Sequence, residues 1–103
     1  MKSKTVYGMK WKQFKARAID TGASQIAVLS GSDMSGEVFD SLSDTNTKSR
    51  GKLISEGVVI ETEEGNYQFL VDHIFNSPSK AASILKGHNE SGPRVFGKID
   101  LAA

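Results

Sequence analysis

The chain has 103 residues, 38% hydrophobic and 24% charged, with a net charge of +1 and no cysteine. That length holds one domain able to bury roughly 65% of its unfolded surface, and the missing thiols exclude disulfides, thiolate catalysis and cysteine zinc sites. No apolar run approaches the length of a membrane span or follows the N-terminal lysines as in a signal peptide, so the expectation is a cytoplasmic protein without a membrane partner.

The small net charge hides segregation. Lys2, Lys4, Lys10, Lys12, Lys15 and Arg17 open the chain with no acid among them; Lys48, Arg50 and Lys52 form a second block, and Lys80, Lys86, Arg94 and Lys98 a third. Acidic stretches separate them, and folding could bring the three onto one face.

In chain order, residues 1–14 mix Val6, Tyr7, Met9, Trp11 and Phe14 with lysines. This basic, aromatic segment is readable as a strand, a short helix or a docking tail, and it is set apart from a single domain over residues 15–103. Residues 15–20 alternate loosely, 21–24 form a turn and 25–30 are β-rich, which predicts a hairpin. Residues 31–36 read as a loop, and 37–42 are ambiguous between a strand and a turn of helix. A weakly signalled helix follows: Ser43 to Asn46 offer caps, Leu53 and Ile54 turn inward and Gly57 ends it, but Thr45, Thr47, Ser49 and Gly51 are poor helix formers. Residues 58–62 and 66–71, joined across Glu63, Glu64 and Gly65, give the clearest hairpin, with Tyr67, Phe69 and Val71 on one face.

The most complete local signal is residues 76–87. Ser77 can cap, Pro78 is pre-set for a first helical turn, and Gly87 can take the left-handed conformation just past the end. Between them Ala81, Ile84 and Leu85 make a narrow apolar stripe. The predicted class is α+β: a small antiparallel sheet of about four strands with two short helices packed on it.

No catalytic constellation emerges. The two histidines, His73 and His88, lack a catalytic spacing and read as a structural side chain and a helix-end cation respectively. Asp72 and His73 supply at most two neighbouring metal donors, so neither a metal nor another cofactor is expected. The chain reads as a non-enzymatic module, and clustered cations interleaved with aromatics point to nucleic acid. The phosphate partners are taken to be Lys12, Lys15, Lys48, Arg50, Lys80 and Lys86, with His88, Asn89 and Arg94 reaching bases or sugars. The reading from a different class is a protein-interaction or self-association module that docks through the aromatic N-terminus.

The run Ser77-Pro78-Ser79-Lys80-Ala81-Ala82 and its continuation to Gly92 resemble a bacterial domain of unknown function found at the C-terminus of many GIY-YIG nuclease-like proteins. Residues 25–32, 52–59 and 67–69 look like its strand and Gly-Ser turn, helix end and hairpin, so the resemblance covers about residues 15–97. The same core is similar to the restriction-enzyme adenine-methylase-associated (RAMA) domain, thought to recognise DNA in modification and restriction systems. The resemblance therefore implies a DNA-binding accessory module in such a bacterial context. The family usually carries an Asn-Gly-Trp element after the helix, where this chain has Ser91 to Phe96, so Phe96 would have to replace any contact of that tryptophan. The nuclease domain that often accompanies the family is missing from these residues, so on this resemblance the chain is not expected to cut DNA by itself.

Overall fold

The computed structural model describes residues 6–22, 25–88 and 97–99. Its elements run β1 (Val6–Trp11), β2 (Phe14–Gly22), β3 (Gln25–Val28), β4 (Asp33–Met34), α1 (Asp44–Ser55), β5 (Val59–Glu61), β6 (Tyr67–Phe69), β7 (His73–Phe75), α2 (Pro78–Lys86) and β8 (Gly97–Ile99). The architecture is α+β, but the strands divide between two sheets. Five form a sheet in the order β7-β3-β2-β1-β8, and three form another in the order β4-β6-β5. Every pairing is antiparallel.

Alternation along the strands sets the core. Met9, Phe14, Ala16 and Ala18 are buried on one face of the large sheet, while Lys10, Lys15 and Arg17 stand exposed on the other, the two-residue period of a half-covered sheet. The buried face meets α2, which also lies against β4, and α1 rests on α2 and β5. Phe69, Met34, Ile84, Leu85 and Val28 are the largest fully buried side chains, each stabilising the fold by about 1.5–3 kcal/mol relative to exposure.

α2 forms as its ends dictate. Ser77 Oγ accepts from Lys80 N–H at 3.1 Å, Pro78 opens the first turn, and Gly87 closes the helix at φ 82°. Gly87 is doubly constrained, because a Cβ there would lie 2.1 Å from the Glu37 carbonyl oxygen as well as in the left-handed region. α1 is capped in the same way by Ser43, which accepts from Asn46 N–H at 3.2 Å, yet only Arg50 and Leu53 are buried along its 12 residues.

Three segments go beyond the sequence reading, the first by taking the strand that it left open for the N-terminal segment. Val6–Trp11 is an inner strand, paired with β2 from Val6↔Ile19 to Trp11↔Phe14 and with β8 from Val6↔Ile99 to Gly8↔Gly97. Residues 6–14 thus belong to the sheet and do not stand apart from it. The loop over 31–36 contains β4, held by pairing with β6. The ambiguous residues 37–42 are neither strand nor helix; Phe39 N–H bonds the Gly87 carbonyl at 2.8 Å, which ties the segment to the end of α2.

Candidate nucleic-acid interface

The β1–β2 hairpin extends past its neighbours. Among the described residues β8 pairs with β1 over Val6 to Gly8, and β3 pairs with β2 from Ala18 onward, with Leu29 N–H also bonding the Arg17 carbonyl at 2.8 Å. Among the described residues, 9–16 continue as a two-stranded ribbon turned by Lys12 and Gln13. Loop side chains brace its β2 edge: Asp33 Oδ2 accepts from Lys15 N–H at 2.9 Å, and Ser32 Oγ accepts from Arg17 N–H at 3.0 Å.

Register fixes the charge pattern of the ribbon. Lys10 and Lys15 are directly opposed and Arg17 opposes Gly8, all on the exposed face. Like charges placed directly across strands are destabilising, and among the described residues no carboxylate forms an ion pair with any of the three. Lys12, at the tip, holds φ 50° without being glycine, a conformation sparsely used by side-chain-bearing residues. Its ammonium lies 3.6 Å from Glu37 in an exposed pair, a contact of little energetic weight.

The inner side of the ribbon is aromatic. Trp11 and Phe14 pack at 5.2 Å between ring centroids, and His88 meets Phe39 edge-on at 5.3 Å. Together with Lys12, Ser35 and Lys86 they line a cleft of about 230 Å³. Cations on the outer face and the partly exposed rings of Trp11 and Phe39, with Phe14 buried behind them, match the two contacts a nucleic-acid strand offers, phosphates and base faces.

The remaining candidates do not join this surface. Lys80 lies at the N-terminal turn of α2 and lines a separate groove with Lys52 and His73; six residues separate it from Lys86, about 9 Å along the helix axis. Lys48 is exposed on α1. Asn89, Arg94 and the element over Ser91 to Phe96 lie outside the described residues.

Arg50 requires a correction. It is 4% exposed, and its guanidinium donates to the Ile84 carbonyl at 3.0 Å and to the Ser35 carbonyl, with Tyr67 beneath it at 5.7 Å from the ring centroid. Burial pushes its pKa below the ordinary guanidinium value, with Tyr67 acting in the opposite direction. Arg50 thus joins α1 to the end of α2 and to the segment after β4, and it offers nothing to a phosphate. The available signal was its spacing three residues before Leu53, which puts both on one helical face. Lys10 and Arg17, which belong to the N-terminal basic block but not to the expected phosphate partners, are brought beside Lys15 by the hairpin register.

His73 sits on the edge strand β7 against Phe75 at 4.9 Å. Burial lowers its pKa from the ordinary imidazole value, Glu56 pulls it back up, and Lys52 lowers it further. Among the described residues no three His, Asp or Glu side chains gather as metal ligands would, and no helix is long and apolar enough to cross a membrane.

Neither the curated proteins nor the solved structures contain a match to this chain. A family model does match, over residues 7–99, which takes in both sheets, both helices and the ribbon. The chain belongs to the family described as a domain of unknown function, DUF4357.

Proposed function

We propose that this chain is a non-catalytic accessory module that binds DNA through its β1–β2 ribbon, in a bacterial modification, restriction or nuclease-related setting. The observation that carries the reading is the directly opposed pair Lys10 and Lys15, with Arg17 beside them on the exposed face. This arrangement costs stability and gains a purpose only when an anion lies over it. A two-stranded ribbon is also a shape that B-DNA's major groove admits. In this reading Lys10, Lys15 and Arg17 hold phosphates, Lys12 and Lys86 flank the strand, and Trp11 and Phe39 offer ring faces to an unstacked base across the cleft.

The test is fluorescence anisotropy of a labelled duplex, with and without adenine methylation, titrated from about 50 to about 200 mM salt. Expected are micromolar binding that weakens steeply with salt, and a salt slope smaller by about 3 when Lys10, Lys15 and Arg17 are all changed to Gln. A preference for the methylated duplex supports the modification context. Absence of binding at about 100 μM protein in low salt rejects the DNA reading. A protein-interaction role is the second reading, favoured by the exposed apolar side chains Ile60, Leu70, Val71 and Ile74 near the β5 and β7 edges.

A further inference from the structure

A second concave feature lies away from the ribbon. β7 ends the five-stranded sheet, so its outer side presents backbone N–H and C=O groups with no neighbouring strand among the described residues. Alongside that edge runs a groove of about 280 Å³. Residues 73–76 form one wall. Ser49, Lys52, Leu53 and Glu56 form the other, spaced i, i+3, i+4 and i+7 and therefore on a single face of α1. Because α1 rests on α2 and β5, this face stands off from β7 and leaves a gap.

The floor and rim of the groove differ in character. Leu53 and Phe75 are buried and apolar beneath it. Lys52 and Lys80 stand over it with Glu56 as the acid among its lining residues, and Glu56 reaches Lys52 only at 3.9 Å in an exposed pair. Ile74, whose position in β7 also borders the groove, alternates to the opposite face of the sheet from His73 and Phe75 and is 55% exposed.

We propose that this groove takes up an extended acidic peptide from a protein partner, which adds a strand beside β7. An added strand pairs its backbone with the sheet edge and turns alternate side chains to opposite faces, so the backbone provides affinity and the side chains provide specificity. Residues on the groove side meet Leu53 and Phe75 with their stems and Lys52 and Lys80 with their ends, which selects glutamate or aspartate. Residues on the opposite side lie beside Ile74, which selects valine, isoleucine or leucine. The preferred ligand is a short segment that alternates acidic and apolar residues. A nucleic-acid occupant is disfavoured because the groove offers an open strand edge, and Phe75, the aromatic ring of its floor, is buried and presents no free face to a base.

The experiment is selection of a random heptapeptide phage library on the full chain, with counter-selection on the Lys52→Glu/Lys80→Glu variant, whose retained fold is checked by circular dichroism. The proposal expects enrichment of alternating acidic and apolar sequences. The synthesised winner should bind the charge-reversed variant about tenfold more weakly or worse, and its binding should slow amide hydrogen exchange at residues 73–76. Failure to enrich any sequence above the counter-selection overturns the proposal, as does peptide binding that leaves exchange at 73–76 unchanged. Sedimentation that reveals a dimer with those amides already protected assigns the edge to a second copy instead. Displacement of the peptide by duplex DNA, with protection of the same amides, assigns it to nucleic acid.

Discussion

The two helices reach similar geometry by different routes. α2 buries Ala81, Ala82, Ser83, Ile84 and Leu85 in nine residues and has both ends specified locally, whereas α1 buries Arg50 and Leu53 in twelve. α2 is thus held by apolar contact on the large sheet, a non-directional force that tolerates small adjustments. α1 depends on one leucine and on a cation whose hydrogen bonds must be made at the right distance, because an unmet buried polar group costs more than a met one contributes. α1, which walls the β7 groove, is therefore the weaker of the two, and its position is set by a side chain that looks like surface in the sequence.

The strongest way to break this contrast is Arg50→Leu. It leaves the Ile84 and Ser35 carbonyls without their donor and should cost about 3 kcal/mol by urea unfolding, while Arg50→Lys, which reaches fewer carbonyls, should recover part of the loss. If Arg50 instead served a surface phosphate, the leucine variant would unfold at the wild-type urea concentration. Gly87→Ala attacks α2 at its end and should cost about 2–3 kcal/mol, since the left-handed backbone and the approach of the Glu37 carbonyl both oppose a Cβ. A variant of unchanged melting temperature would mean that the end of α2 and residues 37–39 are less tightly joined than the structure indicates.

Gly51→Ala sharpens the comparison from the other side. Gly51 is exposed in the middle of α1, and a Cβ there meets nothing within 4 Å, so alanine should stabilise the chain by about 1 kcal/mol and raise its melting temperature. A drop would show that α1 needs the flexibility. The smallest effect expected is that of His73. Its folded pKa lies below the unfolded one, so the two states bind protons equally above about pH 7.5, and the unfolded state binds more as pH falls below about 6.5. Stability should therefore decline on acidification through that range, and His73→Gln should flatten the melting temperature there.

Local signals account for what was readable. The α2 caps and the turn at Glu63, Glu64 and Gly65 between β5 and β6 are encoded within a few residues of where they act, and the structure has both, as it has the antiparallel pairing of β2 with β3. The β1–β2 turn escaped because Lys12 and Gln13 lack the Gly, Asn or Asp that usually marks a positive φ; without that turn the opposition of Lys10 and Lys15 cannot be derived. β4 and β7, of two and three residues, are too short to show a period, and exist because β6 and β3 stand ready to pair with them. The candidate cations were legible as a composition but not as an arrangement. Lys12, Lys86 and His88 meet across the cleft, Lys80 faces another groove, and Arg50 turns inward.

The sequence by itself determined the α+β class, the two helices and their caps and two of the hairpins, because capping, turn chemistry and apolar periodicity act over distances of a few residues. The division of the strands between two sheets, the place of Val6–Trp11 as an inner strand ending in a ribbon, and the inward turn of Arg50 come from tertiary contacts. Strand partners, burial and the face a cation points to depend on contacts between residues far apart in the chain. No window of the sequence contains both partners of such a contact.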